Sequence, residues 1–239
     1  MNAIAKKMIT IILFFILGLA ADNIKVASIL GVPGQTFTIL QLFAPAFGAF
    51  LGGLIGFTAV FVTEAASFIL QSKEVTLINL LRFLPLLLAT LYFVAITRPA
   101  VHWFKKIVEI IIPISAMLFF WLHPTGRAAW PYALFWFVPV VVSISPLRKF
   151  LFAQALGSTF TAHAAGSLIF LYLTSMPAAM WLSLIPLVAR ERLVFSLGIT
   201  LTYLIFNTLL LALPRMKFLS LNLNPRYQFF PSARKIHNF

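Results

Sequence analysis

Two charged residues, Glu64 and Arg82, lie inside long apolar stretches of this sequence. An ionised side chain at the centre of a membrane-spanning helix costs about 2.5–3.5 kcal/mol even on the most permissive insertion scale, so such residues usually have a partner or a function. The polar turn at 71–74 follows Glu64 and precedes Arg82 by about eight residues each, or near 12 Å of helix rise. Two antiparallel helices would bring the pair to similar depth, either as a structural ion pair or as the charged floor of an outward-opening cavity.

His163 is a third polar side chain inside an apolar stretch, with several hydroxyl residues near it in sequence. A histidine in this setting either completes an interhelical hydrogen bond or contacts a ligand. His102 and His237 fall outside the apolar stretches, which leaves His123 and His163 as candidate metal ligands. Two histidines without a nearby acid are too few for a metal site. We therefore expect neither a metal nor another cofactor.

Further polar residues fall between the apolar runs. Gln35, Thr38 and Gln41 follow a Gly-Val-Pro-Gly sequence, and Arg190 and Glu191 precede the last apolar run. Arginine binds carboxylate or phosphate oxygens in a bidentate fashion, so convergence over a pocket would suit an anionic group, whereas a position at the membrane interface would give no site. The predicted substrate-binding set is Gln35, Thr38, Gln41, Glu64, Arg82, His163, Arg190 and Glu191.

Familiar catalytic patterns are absent from the sequence, which has no Walker A loop, HExxH, GxSxG or DxxD pattern. We therefore expect no catalytic residues and no ATPase within this chain. Two alternatives to a binding protein stay open. One is an intramembrane enzyme that uses His163 and Glu191 as acid or base on a lipid or polyprenyl substrate, and the other is a non-catalytic membrane assembly protein.

The composition requires a lipid environment for the elements that carry these residues. Hydrophobic residues make up 62% of the 239 positions and charged residues 10%, and the mean hydropathy is +1.01. A soluble fold of this length could not bury so much apolar surface. The net charge of +13 comes from basic residues that mostly separate apolar runs, which indicates membrane orientation rather than nucleic-acid binding. The absence of cysteine excludes disulfides and zinc–thiolate sites.

The apolar runs predict an all-α, polytopic transmembrane bundle of about eight spans, within a range of 6 to 8, in the cell membrane. The first run fits either a first span or a cleaved signal peptide, and the second and third fit two helices or one kinked helix. Ala178–Ala189 is too short to cross and is predicted to be a re-entrant or interfacial segment that leads into the last span. The spans are Met8–Ala21, Thr36–Leu51, Gly53–Leu70, Val75–Ile96, Ile107–Leu122, Ala128–Ile144, Phe150–Thr174 and Leu193–Leu213.

The distribution of basic residues predicts the orientation of these spans. With the N-terminus in the cytoplasm, twelve basic residues fall in cytoplasmic segments and five in outer segments. This bias predicts that both termini are cytoplasmic. Residues 1–213 are then one transmembrane domain, and residues 214–239 are a basic juxtamembrane tail that lies on anionic membrane lipid.

Two stripes of small residues at four-residue spacing would let a second helix approach closely. They explain either packing between this chain's own helices or docking of a partner membrane subunit. The first stripe is Ala44, Gly48, Gly52 and Gly56, and the second is Ala153, Gly157, Thr161 and Ala165.

The stretch from Gly31 to Glu64 resembles the opening of the substrate-binding S components of energy-coupling factor vitamin transporters. Those proteins have two short helices separated by a Leu-Gly-x-x-x-Gly turn, which Leu51–Gly56 matches, and Ile185–Pro186 followed by the triplet at 190–192 is similar to the start of their last span. The match covers about a third of the chain. The family typically has six spans in a shorter chain, and residues 91–145 have no counterpart in it.

This resemblance implies a protein that captures a small vitamin-like solute from the outer face. It also implies a separate transmembrane coupling subunit and two ATPases as partners. The loop at Gly31–Gln35 would be the lid over the pocket, and one small-residue stripe would face the coupling subunit. Our leading expectation is therefore a membrane transport protein with an outward pocket.

Overall fold

The computed structural model describes residues 3–28, 36–213 and 221–229, and the predicted all-α class is confirmed. A π-helical turn (Ile107–Ile111) and two 3₁₀ segments (Trp130–Trp136 and Pro146–Lys149) connect some of the α-helices. The helices are α1 (Ala3–Asp22), α2 (Leu40–Leu51), α3 (Gly53–Leu70), α4 (Leu77–Leu81), α5 (Phe83–Thr97), α6 (His102–Lys106), α7 (Ile112–Leu122), α8 (Pro124–Ala128), α9 (Phe137–Ile144), α10 (Leu151–Leu173), α11 (Ala178–Ser183) and α12 (Ile185–Ala212).

Four of the described helical stretches are long and apolar enough to cross a membrane: Gly53–Leu70, Leu77–Thr97, Leu151–Leu173 and Ile185–Ala212. Shorter apolar helices include Met8–Asp22, Leu40–Leu51 and Trp130–Ile144. Many large apolar side chains remain exposed on the outer faces of these helices, as expected where lipid replaces water. A membrane protein is therefore supported. The count of eight spans and the cytoplasmic termini stay predictions.

The segment before α2 departs from the predicted helix of Thr36–Leu51. Thr36–Thr38 is a strand, β2, that pairs antiparallel with β1 (Lys25–Ser28), and Lys25 lies opposite Thr38. A Thr-Phe-Thr sequence favours a strand because branched and aromatic side chains fit a pleated surface. The helix therefore begins only at Leu40. The ribbon places Thr36 and Thr38 beside the end of α1.

Glycine separates α2 from α3, which decides between the two alternatives for this region. Gly52 has φ +82°, a backbone conformation that interrupts a helix and favours glycine. A Cβ at Gly52 would also lie 1.8 Å from the guanidinium of Arg98. The chain thus forms two helices rather than one kinked helix.

The fourth predicted helix is broken at Arg82, between α4 and α5. Pro85 has no N–H to donate to the carbonyl of Leu81, so the regular helical ladder is interrupted at this point. The break places Arg82 at the start of α5, where its side chain lines a cavity described below.

The last helix begins at Ile185 rather than at Leu193, so the predicted start of the last span is wrong, while the re-entrant or interfacial position of Ala178–Ala189 stays a prediction. Pro186 is tolerated in the first turn of a helix, where its missing N–H would have no intrahelical partner. The segment divides into the short α11 and the first turn of α12. Consequently the triplet at 190–192 lies on a helix and not in a loop.

The small-residue stripes are packed against this chain's own helices. A Cβ at Gly56 would lie 2.6 Å from the backbone of Gly48, so α2 and α3 touch at this point. A Cβ at Gly157 would lie 2.3 Å from the hydroxyl of Tyr92 on α5. The remaining members are Ala44 and Thr161, which are fully buried, Ala153 and Ala165, which are half-buried, and Gly52 at the break between helices.

Residues 221–229, the described part of the predicted tail, pack against the bundle. The backbone N–H of Asn222 donates to the carbonyl of Phe50 at 3.0 Å. Asn207 on α12 is fully buried. Its side-chain amide donates to the carbonyls of Asn224 and Tyr227 and accepts a hydrogen bond from the N–H of Asn224. This part of the tail therefore belongs to the folded unit.

Candidate functional site

Two adjoining cavities lie between the ends of the helices and the β-ribbon. The polar cavity has a volume of about 350 Å³, and its charged lining residues are Asp22, Lys25, Glu64, Lys73 and Arg82. The aromatic cavity has a volume of about 140 Å³, and its lining includes the side chains of Phe37, Tyr132, His163, Phe170 and Trp181. Gln41 and Arg82 line both cavities, so the two share a wall.

Most of the predicted binding residues line these cavities. Gln35 lies outside the described residues, as does the predicted lid at Gly31–Gln35. Arg190 is exposed and lines neither cavity, so the structure does not bring it together with the other predicted residues. The residues that do line the cavities are Thr38, Gln41, Glu64, Arg82, His163 and Glu191.

Arg192, and not the predicted Arg190, is the arginine of the triplet at 190–192 that lines the aromatic cavity. It is 5% exposed, its Nη2 lies 3.5 Å from the carboxylate of Glu191, and its Nη1 donates to Thr159 at 3.3 Å. The guanidinium also lies over the rings of Phe37 and Phe195, 5.2 and 4.6 Å from their centroids. Arg192 thus joins α12 to α10 and to the β-ribbon through contacts within the protein.

Asp22 connects three elements at the edge of the polar cavity. Its Oδ1 accepts a hydrogen bond from Thr38 on β2 at 2.6 Å. Its Oδ2 accepts from Ser67 on α3 and from Gln71 just beyond α3, the latter at 3.1 Å. Three donors from the chain therefore satisfy this carboxylate, which fixes the end of α1 against β2 and α3.

Glu64 and Arg82 line the same polar cavity without forming the predicted ion pair. Within the described parts of the chain, no donor reaches the buried Oε2 of Glu64. The guanidinium of Arg82 likewise has no hydrogen bond or ion pair to a described residue. The two side chains therefore line one cavity without a salt bridge between them, which agrees with the charged-floor alternative and not with a structural ion pair.

His163 is held in one tautomer by its neighbours. The indole N–H of Trp136 can only donate, and it lies 3.0 Å from Nδ1, so Nδ1 must be the acceptor. The proton of the neutral ring is then on Nε2, which lies 2.8 Å from the hydroxyl of Tyr132 and 3.4 Å from that of Ser167. Tyr132 in turn is free to donate to Ser167, at 3.4 Å.

The aromatic residues of the site were not predicted from the sequence. Tyr132 and Trp136 come from a 3₁₀ segment, and Trp181 from α11; all three contact Phe120 in a buried aromatic core. Aromatic residues are 15% of this chain, so no single ring stands out in the sequence. For Tyr132 and Trp136 the available signal was their position just after Pro131, which interrupts an apolar run.

No family model, characterised protein or solved structure matches this chain. Its function must therefore be argued from the site.

The arrangement suits binding better than bond-breaking chemistry. Both nitrogens of His163 are occupied by hydrogen bonds, and Glu191 is paired with Arg192. Among the described residues, no three His, Asp or Glu side chains come together as a set of metal ligands. Glu64 and Arg82 line the polar cavity without hydrogen-bond partners among the described residues, and the aromatic cavity beside it offers apolar surface. Such a site can hold a small amphiphilic molecule in one orientation.

Proposed function

We propose that this chain is a membrane transport protein that binds a small solute from the outer face in the polar and aromatic cavities. The observation that carries the proposal is the shared wall of the two cavities, formed by Gln41 and Arg82. Apolar pockets with a few convergent polar groups are the usual form of small-molecule sites. The apolar outer faces of the helices place this site within a membrane protein.

The energy for transport would come from other subunits. The sequence carries no nucleotide-binding loop, and its resemblance to S components of energy-coupling factor transporters supports a coupling subunit and ATPases as partners. In such a system, this chain selects the solute and its partners drive release. The two strands of the β-ribbon line the cavity, and in sequence they precede and follow the segment that the resemblance implies to be a lid.

The two alternative functions have less support. An intramembrane enzyme needs a base with a free lone pair, whereas Nδ1 of His163 accepts from Trp136 and Nε2 carries the ring proton beside Tyr132. A purely structural assembly protein would place its polar residues against one another. Glu64 and Arg82 instead remain unpaired across a cavity of about 350 Å³.

A variant that fills the aromatic cavity tests the proposal. Gly166 lines this cavity, and a Cβ there would meet only Pro85, at 3.7 Å, so Gly166→Leu should fold while occupying the space of the ligand. Ala128→Leu is the control, because Ala128 is exposed and lines neither cavity. Both variants would be purified from membranes in mild detergent beside the wild type, and their bound small molecules extracted and identified by mass spectrometry.

We expect a small molecule that is bound to the wild type and to Ala128→Leu and is depleted at least about tenfold in Gly166→Leu. Adding that compound back should raise the melting temperature of the wild type but not that of Gly166→Leu, since a ligand stabilises only the state that binds it. Equal amounts of every extracted compound in all three proteins, with no thermal stabilisation by any, would overturn the proposal.

A further inference from the structure

The two unpaired charged side chains of the site identify the class of solute. This inference rests on the proposed function and adds the chemistry of the ligand. In the part of the chain that the structure describes, the carboxyl group of Glu64 accepts no hydrogen bond and its Oε2 is buried without a donor, and the guanidinium of Arg82 has no acceptor. Both residues line the polar cavity. An unpaired carboxyl group and an unpaired guanidinium in one cavity match the ammonium and carboxylate groups of a zwitterion.

The other charged residues of the cavities either contact partners within the chain or are exposed to solvent. Asp22 already accepts hydrogen bonds from three donors of the chain. Arg192 is paired with Glu191 and Thr159 and covered by aromatic rings, although its buried Nε has no partner among the described residues. Lys25 and Lys73 are exposed, so water and salt weaken their interaction with a ligand. Glu64 and Arg82 are therefore the charged groups best placed to gain from a bound partner.

The aromatic cavity sets the size of the remainder of the solute. Its volume of about 140 Å³ is close to that of a cavity of about 150 Å³ that is known to take up benzene. The rings of Tyr132, Trp181 and Phe37 line it. A single six-membered ring fits this space, and a stacked or edge-on contact with the lining rings would add to the apolar burial.

The shared wall fixes the direction of the ligand. Arg82 lines both cavities, whereas Glu64 lines only the polar cavity. We propose that the site binds a zwitterion that carries one aromatic ring or an apolar group of that size, with the ring in the aromatic cavity, the carboxylate on Arg82 and the ammonium group on Glu64. Phenylalanine is the simplest molecule with these three features.

Binding of phenylalanine and three of its fragments to the wild-type protein tests this inference directly. The fragments are 3-phenylpropionate, which lacks the ammonium group, phenethylamine, which lacks the carboxylate, and alanine, which lacks the ring. Titration calorimetry in nanodiscs would give each affinity. We expect phenylalanine to bind at least about tenfold more tightly than each fragment, which corresponds to about 1.4 kcal/mol per missing group.

Two variants then assign each group of the zwitterion to one residue. Glu64→Gln should reduce the preference for phenylalanine over 3-phenylpropionate to less than about threefold and leave its preference over phenethylamine. Arg82→Gln should do the reverse. The controls are Glu74→Gln and Arg190→Gln, since both side chains are exposed and line neither cavity; they should keep both preferences.

The wild-type series decides the inference even where a variant does not fold. Equal binding of phenylalanine and 3-phenylpropionate, or of phenylalanine and phenethylamine, would overturn it. The inference would also be overturned if none of the four compounds bound while a molecule of another class could still be extracted from the protein. In that case the proposed transport function would stand. Variants that fold and bind but keep the wild-type preferences would overturn the assignment to Glu64 and Arg82.

Discussion

Trp136 donates its indole N–H to Nδ1 of His163, with 3.0 Å between the two nitrogens. This contact places the imidazole proton on Nε2 and turns it towards Tyr132. Protonation of Nδ1 would set two N–H donors against each other, so the contact also favours the neutral ring. The histidine that drew attention in the sequence is thus a fixed part of the cavity wall.

Trp136→Phe should destabilise the protein more than Trp181→Phe. The two tryptophans are similarly buried and both contact Phe120, but only Trp136 has a partner for its indole N–H. Its loss leaves Nδ1 of His163 without a donor, which costs about 1–3 kcal/mol. The measurement is the fraction of protein that stays monodisperse after heating. Equal losses in the two variants would show that the hydrogen bond contributes nothing.

Asp22→Ala should lower the free energy of unfolding by about 1.5–3 kcal/mol, because hydrogen bonds to a charged acceptor contribute this much. The change removes the acceptor that joins Thr38, Ser67 and Gln71. Asn23→Ala is the control, since Asn23 is exposed and donates a single hydrogen bond to Leu19. Unfolding by titration with sodium dodecyl sulfate measures both. A loss no larger than that of the control would contradict the connecting role of Asp22.

Much of the site could be predicted from the sequence because a charge in an apolar run is conspicuous. Glu64, Arg82 and His163 were found in this way, and the small residues that allow close helix packing were found by their spacing. The α3 bounds of Gly53–Leu70 also agree with the prediction, since Gly52 and the polar turn beyond Leu70 punctuate the chain clearly.

The sequence did not show which side chains of the last helix face inward, because the predicted start of that helix was misplaced. Starting the last helix at Leu193 left Arg190 and Arg192 equivalent in a loop. On a helix that begins at Ile185, Arg192 lies four residues from the buried Val188 and from the buried Ser196, whereas Arg190 is turned by about 200° from Arg192. The orientation of the arginines thus depended on Pro186 being accepted within a helix.

Arg192→Met should therefore lower the free energy of unfolding substantially, and Arg190→Met should leave it nearly unchanged. Removing the Arg192 guanidinium leaves Glu191 without its partner and Thr159 without a donor, and we expect a loss of at least about 2 kcal/mol. Arg190 is exposed, so its replacement should stay within about 0.5 kcal/mol. The same titration with sodium dodecyl sulfate compares them. The reverse ranking would place Arg190 inside the bundle and contradict the register of α12.

Gly56→Ala should destabilise the contact between α2 and α3 by about 1–3 kcal/mol, the usual cost of overpacking. The added Cβ would lie 2.6 Å from the backbone of Gly48, which has no flexible group that could move aside. Gly166→Ala is the control, since its Cβ would be 3.7 Å from the nearest atom. Thermal unfolding of both variants in the same detergent measures the difference. If Gly56→Ala were as stable as the control, the first small-residue stripe would not be packed within this chain.

Asn207→Ala should release the segment 221–229 from the bundle. Asn207 makes three hydrogen bonds to the backbone of Asn224 and Tyr227, each contributing about 1 kcal/mol, and 1.4 kcal/mol corresponds to a tenfold change in an equilibrium. Trypsin cleavage after Arg226, followed by mass spectrometry, should therefore be at least about tenfold faster.

Thr208→Val is the matched control for this release, because Thr208 accepts one hydrogen bond, from the N–H of Phe229 at 3.1 Å. Trypsin should cleave Thr208→Val after Arg226 less than about fivefold faster than the wild type, because this variant loses a single hydrogen bond. The site lies on an exposed residue of the docked segment, so cleavage reports opening of the segment rather than unfolding of the bundle. Equal rates in the wild type and Asn207→Ala would mean that the apolar contacts of Leu221, Leu223 and Tyr227 hold the segment without Asn207.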